Sequence, residues 1–473
     1  VTFQALPDLE SNLISIFAEI RPRHRHACIL ESSAGADRLA ELSVVVFDPS
    51  YVLTAAEGHC KVEDLNNKLE VELDEADPLN ILQKIVENFP TNNTQFRFAG
   101  GVVGYISFDA VRYWENKVFS RRQEPKLTAE SYPDIQFGVY DQGIIIDHIR
   151  RKAFYFSSDF TKENHFEEVK QICQKNNNPR DYPMNDEIRY SNPHPNVTRE
   201  YFESSVVRAK DYIRNGEIFQ VVLSKRLDFS FTGEPLRFYS TLRKLNPSPY
   251  MYFLDLGGTK IIGSSPEMLV RAENGIVETF PIAGTGPRSL DKRENSRLAN
   301  ELLSDPKERA EHLMLVDLGR NDIGRVSEFG SVSVPEFMEV HQYSHVQHIV
   351  SHVTGRLRAG LTSFDAMRSI FPAGTLSGAP KIRSIQIIDE LEPESRGPYG
   401  GAVGYFSFNG NMDSAITIRT LIAKENRASI QVGAGIVADS SPEAEWEETD
   451  RKAAALLRAL EISAEKNGSA PGV

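Results

Sequence analysis

DPKERAEHLMLVDLGRND, residues Asp305 to Asp322, is the stretch from which the rest of the chain is read. Asp305 before Pro306, with Glu308 three residues on, predicts a helix start: an N-cap, Pro in the first turn and a carboxylate that suits the helix dipole. Glu308, Glu311, His312 and Leu315 then recur at i, i+3, i+4 and i+7, so they share one helical face. Two carboxylates and an imidazole on one face are costly to bury without a cation or hydrogen-bond partners. A solvated helix start would explain the same residues. The second acidic helix decides between the two. Ser441-Pro442 opens it with the same cap-and-Pro grammar, and Glu445 and Glu448 repeat the i, i+3 spacing with Lys452 continuing their face. A surface Glu/Lys helix would suit Glu448 and Lys452, yet two EXXE pairs at helix starts can converge on one hard cation. Mg²⁺ takes such oxygen ligands, with one or two carboxylates bound directly.

Composition sets the frame for such a site. The 473 residues exceed one ordinary core and predict two or three domain-sized units. Hydrophobic content of 40% and charged content of 25% describe a soluble globular protein. No apolar run reaches the ~18 residues of a membrane span, and the first residues lack the basic-then-apolar pattern of a signal peptide. Cys28, Cys60 and Cys173 are few and unpaired by spacing, which predicts a reducing cytoplasm and neither a zinc site nor a disulfide scaffold. A net charge of −13 disfavours nucleic acid as a partner.

In chain order, strands are expected at 27–31, 42–47, 135–149 with a break at 141–143, and 153–157, and a helix at 79–89. The Asn- and Pro-rich stretch 174–195 is the expected linker between an N-terminal lobe, 1–190, and a second domain, 195–465, with interleaving of the lobes left open. Beyond it, a helix is expected at 199–213, strands at 217–229, 250–256, 260–263, 268–272 and 429–437, and a helix at 442–460. GGVVGYISFD (Gly100 to Asp109) returns as GGAVGYFSFN (Gly400 to Asn409), with seven of ten positions identical. Equivalent strands in two related lobes account for this echo, as does convergence on Gly-hinged strands.

QVVLSKR (Gln220 to Arg226), SSPEMLVR (Ser264 to Arg271), PIAGTGPR (Pro281 to Arg288), the Asp305 stretch, SHVQHIVS (Ser344 to Ser351), FPAGTLSGAPK (Phe371 to Lys381), GGAVGYF, AITIRT (Ala415 to Thr420) and VGAGIVADS (Val432 to Ser440), in that order, resemble the chorismate-utilising enzymes. Within that family the chain is most similar to the large subunits of anthranilate synthase. The resemblance is dense from about Thr198 onward and continues upstream through ILESS (Ile29 to Ser33) and GGVVGY.

It implies an α/β (α+β), two-lobed fold with antiparallel sheets inside and helices outside. It also implies a reaction: chorismate and ammonia give anthranilate and pyruvate. Glu267 matches the general acid that protonates the leaving C4 hydroxyl. Glu311 and Glu448 match Mg²⁺ ligands, with Glu308 and Glu445 behind them. Arg419 matches the guanidinium that clamps the enolpyruvyl carboxylate, with Tyr405, Gly433, Ala434 and Gly435 at the same end. His348 matches a histidine of the pyruvate-elimination half. Gly284, Thr285, Thr375 and Lys452 complete the implied substrate site. Gln220 stands where water-adding members carry Lys, and Ala283 where aminodeoxychorismate synthases carry a nucleophilic Lys. Both therefore point to direct addition of ammonia. Gly286 departs from the usual Arg. No nucleophile-elbow Cys is present, so a separate glutamine amidotransferase subunit is implied as the ammonia source. ILESS and NPSPYM (Asn246 to Met251) resemble the motifs of a tryptophan feedback pocket, implicating Glu31, Ser32, Pro247, Pro249, Tyr250 and Met251. The alternatives are an aminodeoxychorismate synthase and a tryptophan-sensing subunit without activity.

Overall fold

The computed structural model describes residues 1–7, 13–32, 41–115, 118, 132–176, 187–289, 291–342 and 346–465. Ser33 of ILESS, Ser344 and His345 of SHVQHIVS, and 177–186 of the expected linker fall outside them, as does the side chain of Thr285.

Both acidic helices form where their caps place them. The Asp305 carboxylate accepts the backbone N–H of Lys307 (2.8 Å) and Glu308 (3.3 Å), opening the helix Pro306–Gly324. Ser441 Oγ accepts the N–H of Ala444 (3.4 Å) and opens Pro442–Ala464, which runs past the expected end at Leu460. Helices Pro78–Asn88 and Arg199–Arg214 lie within a residue of their expected bounds. The expected strand at 217–229 begins only at Gln220 and continues to Thr232, because Glu217 N–H still bonds Tyr212 O at the preceding helix end.

Among the described residues the strands form one 13-stranded and one 12-stranded sheet, each drawing on both halves of the chain. In the first, the halves meet where His26–Glu31 pairs antiparallel with Tyr250–Leu256. In the second they meet where Gly101–Ile106 pairs with Ala402–Ser407. The inner faces of the two sheets share a core of Cys28, Val44, Tyr105, Tyr252, Val403 and Tyr405. Helices cover the outer faces: Leu13–Ile20, Pro235–Leu245 and Pro442–Ala464 over the first sheet, Pro78–Asn88 and Ser363–Ile370 over the second, while Lys381–Leu391 packs on the strand Gln220–Thr232 of the first. Antiparallel sheets thus pack inside and helices outside, as the resemblance implied.

The echoed segments are neighbours within one sheet. They run antiparallel, and Gly104 faces Gly404. A Cβ on Gly104 would lie 2.0 Å from Gln136 O, and one on Gly404 2.1 Å from Asp413 O, so each glycine admits the backbone of its outer neighbouring strand. The repeat reflects a local two-fold relation between the halves, since the same close approach is needed twice. All three cysteines are buried. No helix among the described residues is long and apolar enough to cross a membrane.

Candidate active site

Glu267 sits between the strands Thr259–Ser265 and Met268–Glu273. Its backbone carbonyl accepts Ile416 N–H (3.1 Å), which fixes it against the Ala415–Thr420 segment, and its carboxylate accepts Thr375 Oγ1–H (2.9 Å). Burial pushes this carboxyl up to about 7, against the opposing influence of the Thr375 bond and the positive charges of Arg419 and Lys452. Glu267 is thereby protonated for part of the time at neutral pH, as a general acid must be.

Of the other predicted residues, Thr375, Arg419 and Lys452 act directly on this carboxyl. Arg419, in the left-handed conformation (φ 50°), is held through its carbonyl by Ser264 N–H, and its charge acts on both Glu267 and His348. His348 lies in the strand Val346–Arg356, with Nδ1 2.9 Å from Gly284 O. A carbonyl only accepts, so Nδ1 carries the proton and Nε2 is left as the basic nitrogen. Burial, with Arg419 nearby, lowers the His348 pKa and favours this neutral form. Lys452 Nζ bonds Gly433 O (3.0 Å) and Glu448 (2.8 Å), tying the second acidic helix to the strand Arg427–Ile436. On that strand a Cβ at Gly433 would meet Tyr399 Oη at 2.7 Å, and one at Gly435 would meet Gln220 Nε2 at 2.5 Å. Both glycines keep open a surface of backbone between polar side chains. Ala434, between them, is fully buried in the core. Gln220 Oε1 is buried and has no hydrogen-bond partner, an acceptor left open.

The two helix starts also come together. Burial raises the carboxyls of Glu311 and Glu445, and Glu448 adds like-charge repulsion to both, while Lys452 and Lys307 oppose the rise. Glu308 is raised by burial and by Asp305, and its Oε2 is the nearest atom to a Cβ built on Gly284, at 2.9 Å. A crowd of carboxylates only partly balanced by lysines fits a hard divalent cation. His312, on the same helix, turns inward instead and bonds Ser351 Oγ through Nε2 (2.6 Å), while its Nδ1 is buried without a hydrogen-bond partner. A tighter group of ligand-type atoms, all within 4.8 Å of one another, is formed by Glu336, Glu339 and His341 of the neighbouring strand Ser333–Gln342. Exposed acidic groups of that kind are common and carry no assignment here.

A second pocket lies between the sheets. Glu31, Ser32, Tyr250 and Met251 line it together, but Pro247 and Pro249 do not; Tyr405, expected beside Arg419, is brought here too. Glu31 is gripped by the Arg243 guanidinium (2.6–2.9 Å) and Tyr239 Oη (3.0 Å). Asp413 is gripped by Arg271 (2.9 Å) and Tyr250 Oη (3.0 Å), with Arg97 at 3.5 Å. The residue that the sequence reading missed beside the glycine strand is Tyr399, buried with its hydroxyl against Gly433. Its signal, GPYGG directly ahead of the echoed strand, was masked by the more conspicuous repeat. Gly286 pairs with Gln347, and a Cβ there would touch Leu302 Cδ2 at 3.4 Å.

Residues 25–458 match the chorismate binding enzyme family. Anthranilate synthase component 1 of Acetivibrio thermocellus is 45% identical over 98% of this chain and 96% of its own. The protein of that name in Methanothermobacter thermautotrophicus is 44% identical over 95% and 92%. The crystal structure of anthranilate synthase component I from Streptococcus pneumoniae superposes with a TM-score of 0.77 at 38% identity, covering 89% of this chain and 93% of the other. The menaquinone-specific isochorismate synthase from Escherichia coli shares the fold, with a TM-score of 0.71 at 19% identity.

Proposed function

We infer that this chain, which belongs to the chorismate-binding enzyme family and to its anthranilate synthase component 1 branch, converts chorismate and ammonia into anthranilate and pyruvate. The observation that carries the mechanism is the half-buried Glu267 carboxyl, pushed up to about 7 by desolvation and held by Thr375 with the charges of Arg419 and Lys452 acting on it. Glu267 gives its proton to the departing C4 hydroxyl, and Thr375 orients the carboxyl for that transfer. Arg419, Tyr399 and the open backbone at Gly433 and Gly435 hold the enolpyruvyl carboxylate. Ammonia adds at C2 on the Gln220 side, donating an N–H to the unpartnered Oε1. A neutral amide cannot deprotonate water, whereas ammonia needs no such base once unprotonated. Ala283 leaves no amine to form an adduct. His348, whose Nδ1 faces Gly284 O so that Nε2 is the basic nitrogen of the neutral ring, takes up a ring proton in the pyruvate-releasing half. Glu311 and Glu448 would hold Mg²⁺ directly, with Glu308 and Glu445 behind them, and the ion would orient the ring carboxylate and stabilise charge developing on it.

Ammonia is supplied by a glutamine amidotransferase subunit. Burial pushes the thiols of Cys28, Cys60 and Cys173 up to about 12, 11 and 12, far from the thiolate a glutaminase requires. The buried, unpaired cysteines suit the cytoplasm as the compartment. The pocket between the sheets takes tryptophan as feedback inhibitor: Glu31, Asp413 and Arg97, each already ion-paired within the protein, line its polar side, and Val44, Tyr252 and Val403 give apolar walls for an indole. Purified chain with chorismate, ammonium and Mg²⁺ is expected to develop anthranilate fluorescence. Isochorismate or 4-amino-4-deoxychorismate as the main product would refute the branch, and unaided hydrolysis of glutamine would refute the separate subunit.

Ser32→Phe tests the feedback pocket. Ser32 is half-buried at the pocket wall, and its N–H bonds Ser43 Oγ (3.2 Å), a contact the substitution keeps. The ring should fill the pocket and raise the tryptophan concentration for half-inhibition by at least about tenfold, with uninhibited turnover near wild type. Equal inhibition of both proteins would show that the pocket is structural.

A further inference from the structure

Lys225 is a cation with no assigned task. It lies on the strand Gln220–Thr232 opposite Val432, and its side chain is 0% exposed. Its Nζ is 2.6 Å from Asp450 Oδ1 and 3.2 Å from the centre of the Trp446 ring. Trp446 is in turn met edge-on by Phe202 of the helix Arg199–Arg214, with ring centres 5.7 Å apart. Trp446 and Asp450 belong to the helix Pro442–Ala464 and stand at i and i+4 on one face. Glu448 is two residues from each, about 200° round the axis, on the side that Glu445 and Lys452 continue toward Glu311.

We infer that Lys225 is a positioning residue: by holding Trp446 and Asp450 at once, its buried ammonium sets the rotation and axial position of this helix, and so the placement of Glu445 and Glu448. The inference rests on the reading of those carboxylates as the cation site. Stability alone does not account for the lysine. Burying an ammonium is expensive, and a packed hydrophobe often does as well or better than a buried ion pair. What a cation adds is geometry, because it must satisfy a ring face and a carboxylate one turn apart. An apolar side chain at that place would tolerate a range of helix rotations. Lys452, bonded to Gly433 O and Glu448, fixes the neighbouring face to the same strand pair, so two lysines hold the helix start in register with the site.

The test is Mn²⁺ binding followed by electron paramagnetic resonance, with Mn²⁺ in place of Mg²⁺, on wild type, Lys225→Met, Asp450→Asn and Glu448→Gln. Lys225→Met should weaken Mn²⁺ by about 10-fold. It should also raise the Mg²⁺ concentration needed for half-maximal anthranilate formation, while kcat at saturating Mg²⁺ and tryptophan binding stay close to wild type. Asp450→Asn, altered at a carboxylate 56% exposed, should shift Mn²⁺ affinity in the same direction by less. Wild-type Mn²⁺ affinity in Lys225→Met overturns the inference, even if its Tm falls. Should Lys225→Met not fold, unchanged affinity in Asp450→Asn overturns it equally. Glu448→Gln separates the two layers: if it too binds Mn²⁺ like wild type, the cation site itself has been misplaced.

Discussion

Glu267→Gln should lower anthranilate formation by about 10²–10⁴-fold with the fold intact, because the amide has no proton to give the leaving hydroxyl. Its hydrogen bond to Thr375 survives, since the amide oxygen still accepts. The pH dependence has a definite sign. The working form is the protonated carboxyl, so kcat at saturating free ammonia should fall as pH rises through about 7. In assays driven by ammonium salts the supply of free ammonia rises over the same range, and the observed rate should be a compromise between the two limbs. Stability moves with the same proton. The folded-state pKa is raised, so the folded chain holds its proton more tightly than the unfolded one. The associated stability is fully present below the ordinary 4.5 and is lost as pH climbs through about 7. A shift from 4.5 to about 7 corresponds to on the order of 3 kcal/mol. Glu267→Gln should therefore melt higher than wild type at pH 8 and close to it at pH 4. Turnover within tenfold of wild type would place the acid elsewhere, and a Tm gain that did not grow with pH would deny the raised pKa.

That carboxyl shows where sequence reading reaches and where it stops. Caps, Pro positions and i, i+3 spacing are local, and both acidic helices formed where those signals put them. Motif order carried the family and pointed to Glu267, because SSPE is a contiguous string. Contacts between distant segments were not legible. The echoed strands read as counterparts in two related lobes or as convergent Gly-hinged strands, and neither reading foresaw that Gly104 faces Gly404 in one ladder; strand periodicity reports which face is buried and not which strand lies alongside. Tyr405 follows the same rule. Its motif neighbours put it near Arg419, while the alternation of its strand turns it between the sheets, toward the pocket of Glu31 and Ser32. Lys225 read as one more charge in QVVLSKR, since nothing in that string reveals Trp446 and Asp450 more than two hundred residues downstream.

The cation site gives the other large effect. Glu448→Gln should weaken Mg²⁺ by at least about 100-fold, because Mg²⁺ is held by only one or two carboxylates and one of them becomes a neutral amide. Turnover at ordinary Mg²⁺ should fall with it. The apo protein should respond in the opposite sense. Glu448 is a like charge beside Glu311 and Glu445, whose carboxyls burial has already raised. Removing it relieves repulsion, although it also costs the 2.8 Å contact with Lys452, a half-exposed pair of small worth. Without metal, the variant should melt no lower than wild type. With metal, wild type should gain stability by RT ln(1 + [Mg²⁺]/Kd), a gain the variant largely loses. The pair of melting curves thus distinguishes a lost ligand from a damaged helix, which would lower both. Glu447→Gln, at a side chain 59% exposed on the same turn, is the control and should keep the Mg²⁺ response. If Mg²⁺ still raised the Tm of Glu448→Gln as much as wild type, Glu448 would not be a ligand, and the raised carboxyls of Glu311 and Glu445 would mark burial and repulsion alone.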